Sequence, residues 1–90
     1  MTLSIHFFCA DWAKRQCDPY REVVKTVSDR LNFALVEHDY DTSPMAVQFR
    51  VPTIPTVLLL DETEPDPLAW IVGMRSAADL ESLLAPHTTG

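Results

Sequence analysis

The sequence predicts one α/β domain, a minimal β-α-β-α-β-β-α chain whose mixed sheet is covered by helices in a three-layer sandwich. Three observations predict it. Short apolar runs with strand character recur at LSIHFF, FALVEH, TVLLL and LAWIVG; capped apolar stripes of helical period lie between or after them; and DETEPDP is short enough to join the last two runs as a hairpin. Ninety residues suffice for one core and not for two, so residues 1–90 are read as a single domain.

In LSIHFF, Leu3, Ile5 and Phe7 alternate and Phe8 extends the apolar run, as in a strand buried on at least one face. Asp18 followed by Pro19 reads as an N-cap and first helical position, and Tyr20, Val23, Val24, Val27 and Leu31 form the stripe of a helix over about 19–30. FALVEH is a second strand, ended by the turn chemistry of DYDTSP. SPMAVQF suits a short helix with Met45, Val47 and Phe49 as its apolar positions. TVLLL has a β-branched start and no cap, which indicates a buried strand. DETEPDP, with two prolines and four acids, is a solvated turn, and LAWIVG returns beside TVLLL. Ser76 and Asp79 stand at N-cap and N3 spacing ahead of Leu80, Leu83 and Leu84, which sets a last helix near Ser76. Residues 85–90 read as a frayed tail.

Composition narrows function. Seven Lys and Arg against thirteen Asp and Glu give a net charge of -6, which opposes a phosphate backbone and argues against nucleic acid. The asymmetry is internal: residues 1–30 carry five basic and four acidic side chains, residues 31–90 two and nine. No run approaches the roughly 20 apolar residues of a membrane span. MTLSIHFFCADWAK lacks a basic n-region, so it reads as structure in a cytoplasmic protein, and a monomer is favoured. No cofactor motif is present. His6, His38 and His87 with the two cysteines follow no ligand spacing, so no metal is expected.

Two segments add a resemblance. MAVQFRVPTIPTVLLLD followed by VGMRSAADLESLL resembles the second half of the thioredoxin family, and FCADW resembles that family's F-x-A-x-W at the end of the first central strand. The resemblance covers nearly the whole chain, without the family's extra N-terminal strand and helix. It implies a thioredoxin-like fold, a cis bond at Ile54–Pro55, a helix bent at Pro19, and a surface beside Pro55 that pairs with an extended protein segment. The family's C-x-x-C is missing: Trp12 is followed by Ala13, Lys14, Arg15 and Gln16, and the stretch from Trp12 to Pro19 is two residues short. The Asp and Lys that support the dithiol in the family are replaced by Phe7 and about Val36, as expected once a costly buried carboxylate has lost its task.

The expectation is a redox-inactive member that binds an extended segment of a protein partner, using Trp12, Ala13, Lys14, Arg15, Gln16, Thr53, Ile54, Pro55 and Gly73. Trp12 beside a groove is an aromatic anchor or a cover for the core. Lys14, Arg15, Arg21 and Lys25 form a basic patch or a solvated helix face. The alternative is an atypical thiol-disulfide oxidoreductase in which Cys17 attacks, with or without Cys9 as partner. A thiolate at Cys17 would gain from nearby cations and unpaired backbone N–H groups, although Asp18 competes for them and a small buried side chain is the commoner role of cysteine. Cys9 and Cys17 can bond across the strand-to-helix connection only if their Cα atoms come within about 7 Å.

Overall fold

The computed structural model describes residues 3–87. Its elements are β1 (Leu3–Cys9), a 3-10 turn (Asp11–Ala13), α1 (Lys14–Leu31), β2 (Ala34–Asp39), α2 (Pro44–Gln48), β3 (Thr56–Asp61), β4 (Ala69–Val72) and α3 (Ala77–Leu84). The sheet order is β2-β1-β3-β4, with β1 and β2 parallel and the other pairs antiparallel. The element order and the mixed sheet agree with the sequence reading.

β1 is central and paired on both sides, so its residues alternate between two covered faces. Ile5, Phe7 and Cys9 face α1, where Phe7 meets Tyr20 edge to face at 5.8 Å between ring centroids. Leu80 and Leu84 of α3, fully buried, extend that layer beside Val24 and Val27 of α1. Ser4, His6 and Phe8 face the other side, where the short α2 lies. Thr56 to Leu59 of β3 are fully buried, as expected of a strand covered on both faces.

Three local expectations change. α1 starts at Lys14 and not at Pro19: Ala13 N–H donates to the Ala10 carbonyl at 3.0 Å, and the resulting turn runs directly into helix-favouring Lys14, Arg15 and Gln16. Pro19 therefore sits inside the helix, where its ring removes one backbone donor. Asp18 is consequently no cap; its carboxylate instead accepts from Arg21 at 2.7 Å. In α2 the buried side chain is Ala46, while Val47 is 79% exposed, because a five-residue helix can turn only one narrow face inward. Leu83 is likewise exposed on α3.

Helix ends follow ordinary capping chemistry. Asn32 closes α1 in the left-handed region at φ 61°, a role open to Asn and missed in the sequence. Ser76 caps α3 as expected, its Oγ accepting from the Asp79 N–H at 3.1 Å. Of the tail, Ala85–His87 form a 3-10 turn, and residues 88–90 lie outside the described residues.

Candidate functional site

The register gathers the candidate residues at one rim of the sheet. β1 ends at Cys9 and β2 at Asp39, paired with each other; antiparallel β3 begins at the same rim, with Thr56 opposite Phe8, and β4 ends there, with Val72 opposite Thr56. The segments leaving this rim are therefore the Trp12 turn, the turn after Asp39, Thr53 to Pro55, and Gly73. Gly73 N–H donates to the Pro55 carbonyl at 2.9 Å, and its φ of 87° is a conformation natural to glycine. The Ile54–Pro55 bond is cis. Ile54 and Pro55 are buried, whereas Thr53 is exposed and its carbonyl accepts from the Thr56 hydroxyl at 2.7 Å.

Trp12 is 69% exposed, yet its ring is held: Nε1–H donates to the Asp41 carboxylate at 3.0 Å. Asp41 is itself placed by a turn in which its N–H donates to Asp39 Oδ1 at 3.0 Å. Sequence reasoning missed Asp41, whose approach to Trp12 depends on the pairing of β1 with β2. Trp12, Lys14, Arg15, Gln16 and Asp18 line an open cleft of about 720 Å³. Residues 14–16, which the sequence pattern places ahead of the helix, form the first turn of α1.

Beneath this turn Cys9 and Cys17 are joined in a disulfide, with Cα atoms 6.1 Å apart. The start of α1 at Lys14 explains the reach: Cys17 lies one turn into the helix on its buried side, directly over the end of β1. Cys17 is 1% exposed and Cys9 5%. The arrangement is a C-x7-C pair, not C-x-x-C. A second cleft, about 410 Å³, opens beside it and is lined by Cys9, Lys14, Cys17, Asp18, Glu37 and Asp39 among others. Arg21 spans this cleft, pairing with Asp18 and with Glu37 and lying 5.8 Å over the Phe7 ring. Asp18 first and then Glu37 raise its pKa further, so it stays charged. Phe7 is fully buried, but its neighbour on β2 is Glu37 and not Val36, which the register sets on the opposite face of the sheet; the expectation that both positions are apolar is therefore corrected at the second of them.

The sequence matches no family model and no curated protein. Solved structures do match. A mutant thioredoxin of Halobacterium salinarum superposes with a TM-score of 0.83 at 24% identity, over 98% of this chain and 76% of that one. The chain has a thioredoxin fold. Thioredoxin-2 of a malaria parasite, described as a component of that parasite's protein secretion machinery, gives 0.80 at 25% identity over 96% and 84% of the two chains. Thioredoxin 1 of Thermosipho africanus gives 0.77 at 19% over 93% and 92%. Within the thioredoxin fold, then, this chain carries its cysteines one at the end of the central strand and one inside the helix.

A histidine pair lies outside this rim. His6 Nδ1 and His38 Nε2 are 2.7 Å apart, Ser4 Oγ is 2.8 Å from His6 Nε2, and Ser43 Oγ is 3.2 Å from His38 Nδ1. The His38 ring is stacked with that of His6 and with that of Phe8. Burial, and then the neighbouring His38, lower the His6 pKa to about 4; burial lowers that of His38. Among the described residues no group of three or more His, Cys, Asp and Glu side chains is disposed to hold a metal.

Proposed function

We propose that this protein binds an extended segment of a partner protein across the rim formed by Trp12, the first turn of α1, Thr53 to Pro55 and Gly73. The observation that carries this reading is a contrast of exposure. The aromatic side chain at the rim is open to solvent and oriented by Asp41, while both sulfurs beneath it are buried and bonded to each other. A solvent-facing, prefixed indole supplies contact area at little cost in ordering. An added strand would pair with the exposed backbone at Thr53, at the entry to β3, and Lys14 and Arg15 favour a segment with acidic residues.

The test is selection of binders from a phage-displayed random-peptide library against the oxidised protein. Clones should be enriched whose affinity falls about tenfold or more with Trp12→Ala, as for an aromatic anchor. Enrichment only of clones indifferent to Trp12→Ala and to Thr53→Pro would refute the reading.

One observation favours a second reading, thiol-disulfide exchange by the Cys9–Cys17 pair: the bond borders an open cleft that also holds Lys14. An incoming thiolate would attack one sulfur, form a mixed disulfide and release the other as a thiolate, and a second substrate thiol would complete the reduction. Catalysed reduction of insulin by dithiothreitol, abolished by Cys17→Ala, would establish this reading and displace the first. A rate equal to the uncatalysed one would exclude it.

A further inference from the structure

The two faces of the sheet are unequally covered. α1, with eighteen residues, and α3, with eight, pack on one face; among the described residues α2, with five, is the only helix on the other. On that second face, one row across the sheet runs Val36, His6, Leu58 and Trp70, as the strand register dictates. Val36 and Trp70, at the two ends of this row, are 39% and 43% exposed, while His6 and Leu58 between them are buried, so the open apolar surface lies on the Val36 side of the row. Between α2 and the β3–β4 turn the face opens into a groove of about 470 Å³, floored by His6, Val36 and Leu60 and walled on one side by Met45 and Phe49. Apolar surface of this kind on an α/β sheet is normally covered by a helix.

Charge limits what kind of segment could cover it. The groove's other wall is Asp61, Glu62 and Glu64, and among the described residues no Lys or Arg lines it. The same turn continues into Asp66. Five of the seven Lys and Arg side chains lie between residues 14 and 30, on α1, which packs against the opposite face. A second copy docked symmetrically through this face would set acidic turn against acidic turn, and an anionic membrane surface would be repelled.

We propose that this face docks an amphipathic helix of another protein, one with an apolar stripe that fills the groove beside α2 and Lys or Arg residues that meet Glu62, Glu64 and Asp66. The surface is distinct from the Trp12 rim, so the two sites stand or fall separately. Helix-in-groove recognition reads apolar anchors at i, i+3, i+4 and i+7, and the flanking charges set orientation and partner choice.

The experiment uses the intact protein and two synthetic amphipathic helices with the same leucine stripe, one flanked by lysines and one by glutamates, followed by NMR amide chemical-shift mapping. The leucine-lysine helix should shift Val36, Phe49, Leu60 and Glu62, and Val36→Glu should weaken it roughly tenfold, the size expected when one central apolar anchor is lost. Glu62→Lys with Glu64→Lys should weaken it in the same direction while leaving the fold's spectrum intact. Three results would overturn the proposal: shifts absent or confined to other surfaces, equal binding of the leucine-glutamate helix, or concentration-dependent self-association through Val36 and Leu60 that excludes both peptides.

Discussion

Acidification perturbs the His6–His38 pair, and the direction follows from its burial. The His6 pKa stands at about 4 against 6.5 for the free side chain, so the folded state holds the ring neutral. A group whose folded pKa is depressed contributes stability that is intact above the unfolded value. That stability is lost as pH falls from about 6.5 towards 4, where the unfolded chain binds a proton that the folded chain resists. At 1.36 kcal/mol per unit the full shift has a ceiling of about 3 kcal/mol, and between pH 7 and 4.5 one such group yields roughly 2 kcal/mol. His38, lowered by burial in the same direction, adds to the loss. Asp61 also has a depressed pKa, held down first by the Thr63 N–H, and its contribution disappears lower, as pH falls through the carboxylate range. Relief of repulsion in a chain of net charge -6 acts in the opposite sense. Comparison with His6→Gln isolates the histidine contribution from both. Urea unfolding at pH 7 and pH 4.5 should show the native protein losing roughly 2 kcal/mol more than the variant across this interval. Parallel pH dependences for the two proteins would show that His6 is not the source of the loss.

Reducing the Cys9–Cys17 bond reopens a short loop, with a sequence separation of 8, and the loop-closure relation then gives a loss of about 2.5 kcal/mol, measurable as a lower urea midpoint with reductant present. Tyr20 is 1% exposed and its hydroxyl has no full hydrogen bond, with only partial compensation from Arg75, so Tyr20→Phe should leave stability unchanged or raise it by about 1 kcal/mol in the same unfolding assay. Asp41→Ala should free the Trp12 indole, weakening selected peptides by about 1 kcal/mol in calorimetric titration while the urea midpoint stays within error.

The fold was legible because its signals were local. Strand runs, the Ser76 cap, the acidic hairpin turn and the Ile54-Pro55 segment each announced an element where one exists. The start of α1 was not, since Asp18-Pro19 is a good helix-start signal, and only the turn closed by Ala10 and Ala13 extends the helix five residues earlier. That shift determines the site. It moves Cys17 from a helix start, where a thiolate would be stabilised, to the buried side of the first turns, where it meets Cys9. Asp41, which orients Trp12, lay hidden because its partner is 29 residues away and only strand pairing brings them together. The open face beside α2 was equally hidden, because apolar residues in β2 and β4 read alike whether or not a helix covers them.

The central claim, a peptide-binding rim above a buried disulfide, is tested most directly by NMR chemical-shift mapping of a library-selected peptide on the oxidised protein. Shifts are expected at the Trp12 indole and at the amides of Ala13 to Gln16, Thr53 and Gly73, with the Cys9–Cys17 bond intact throughout. A selected peptide that leaves these positions unmoved, or one that binds only by forming a mixed disulfide with Cys9 or Cys17, would contradict it.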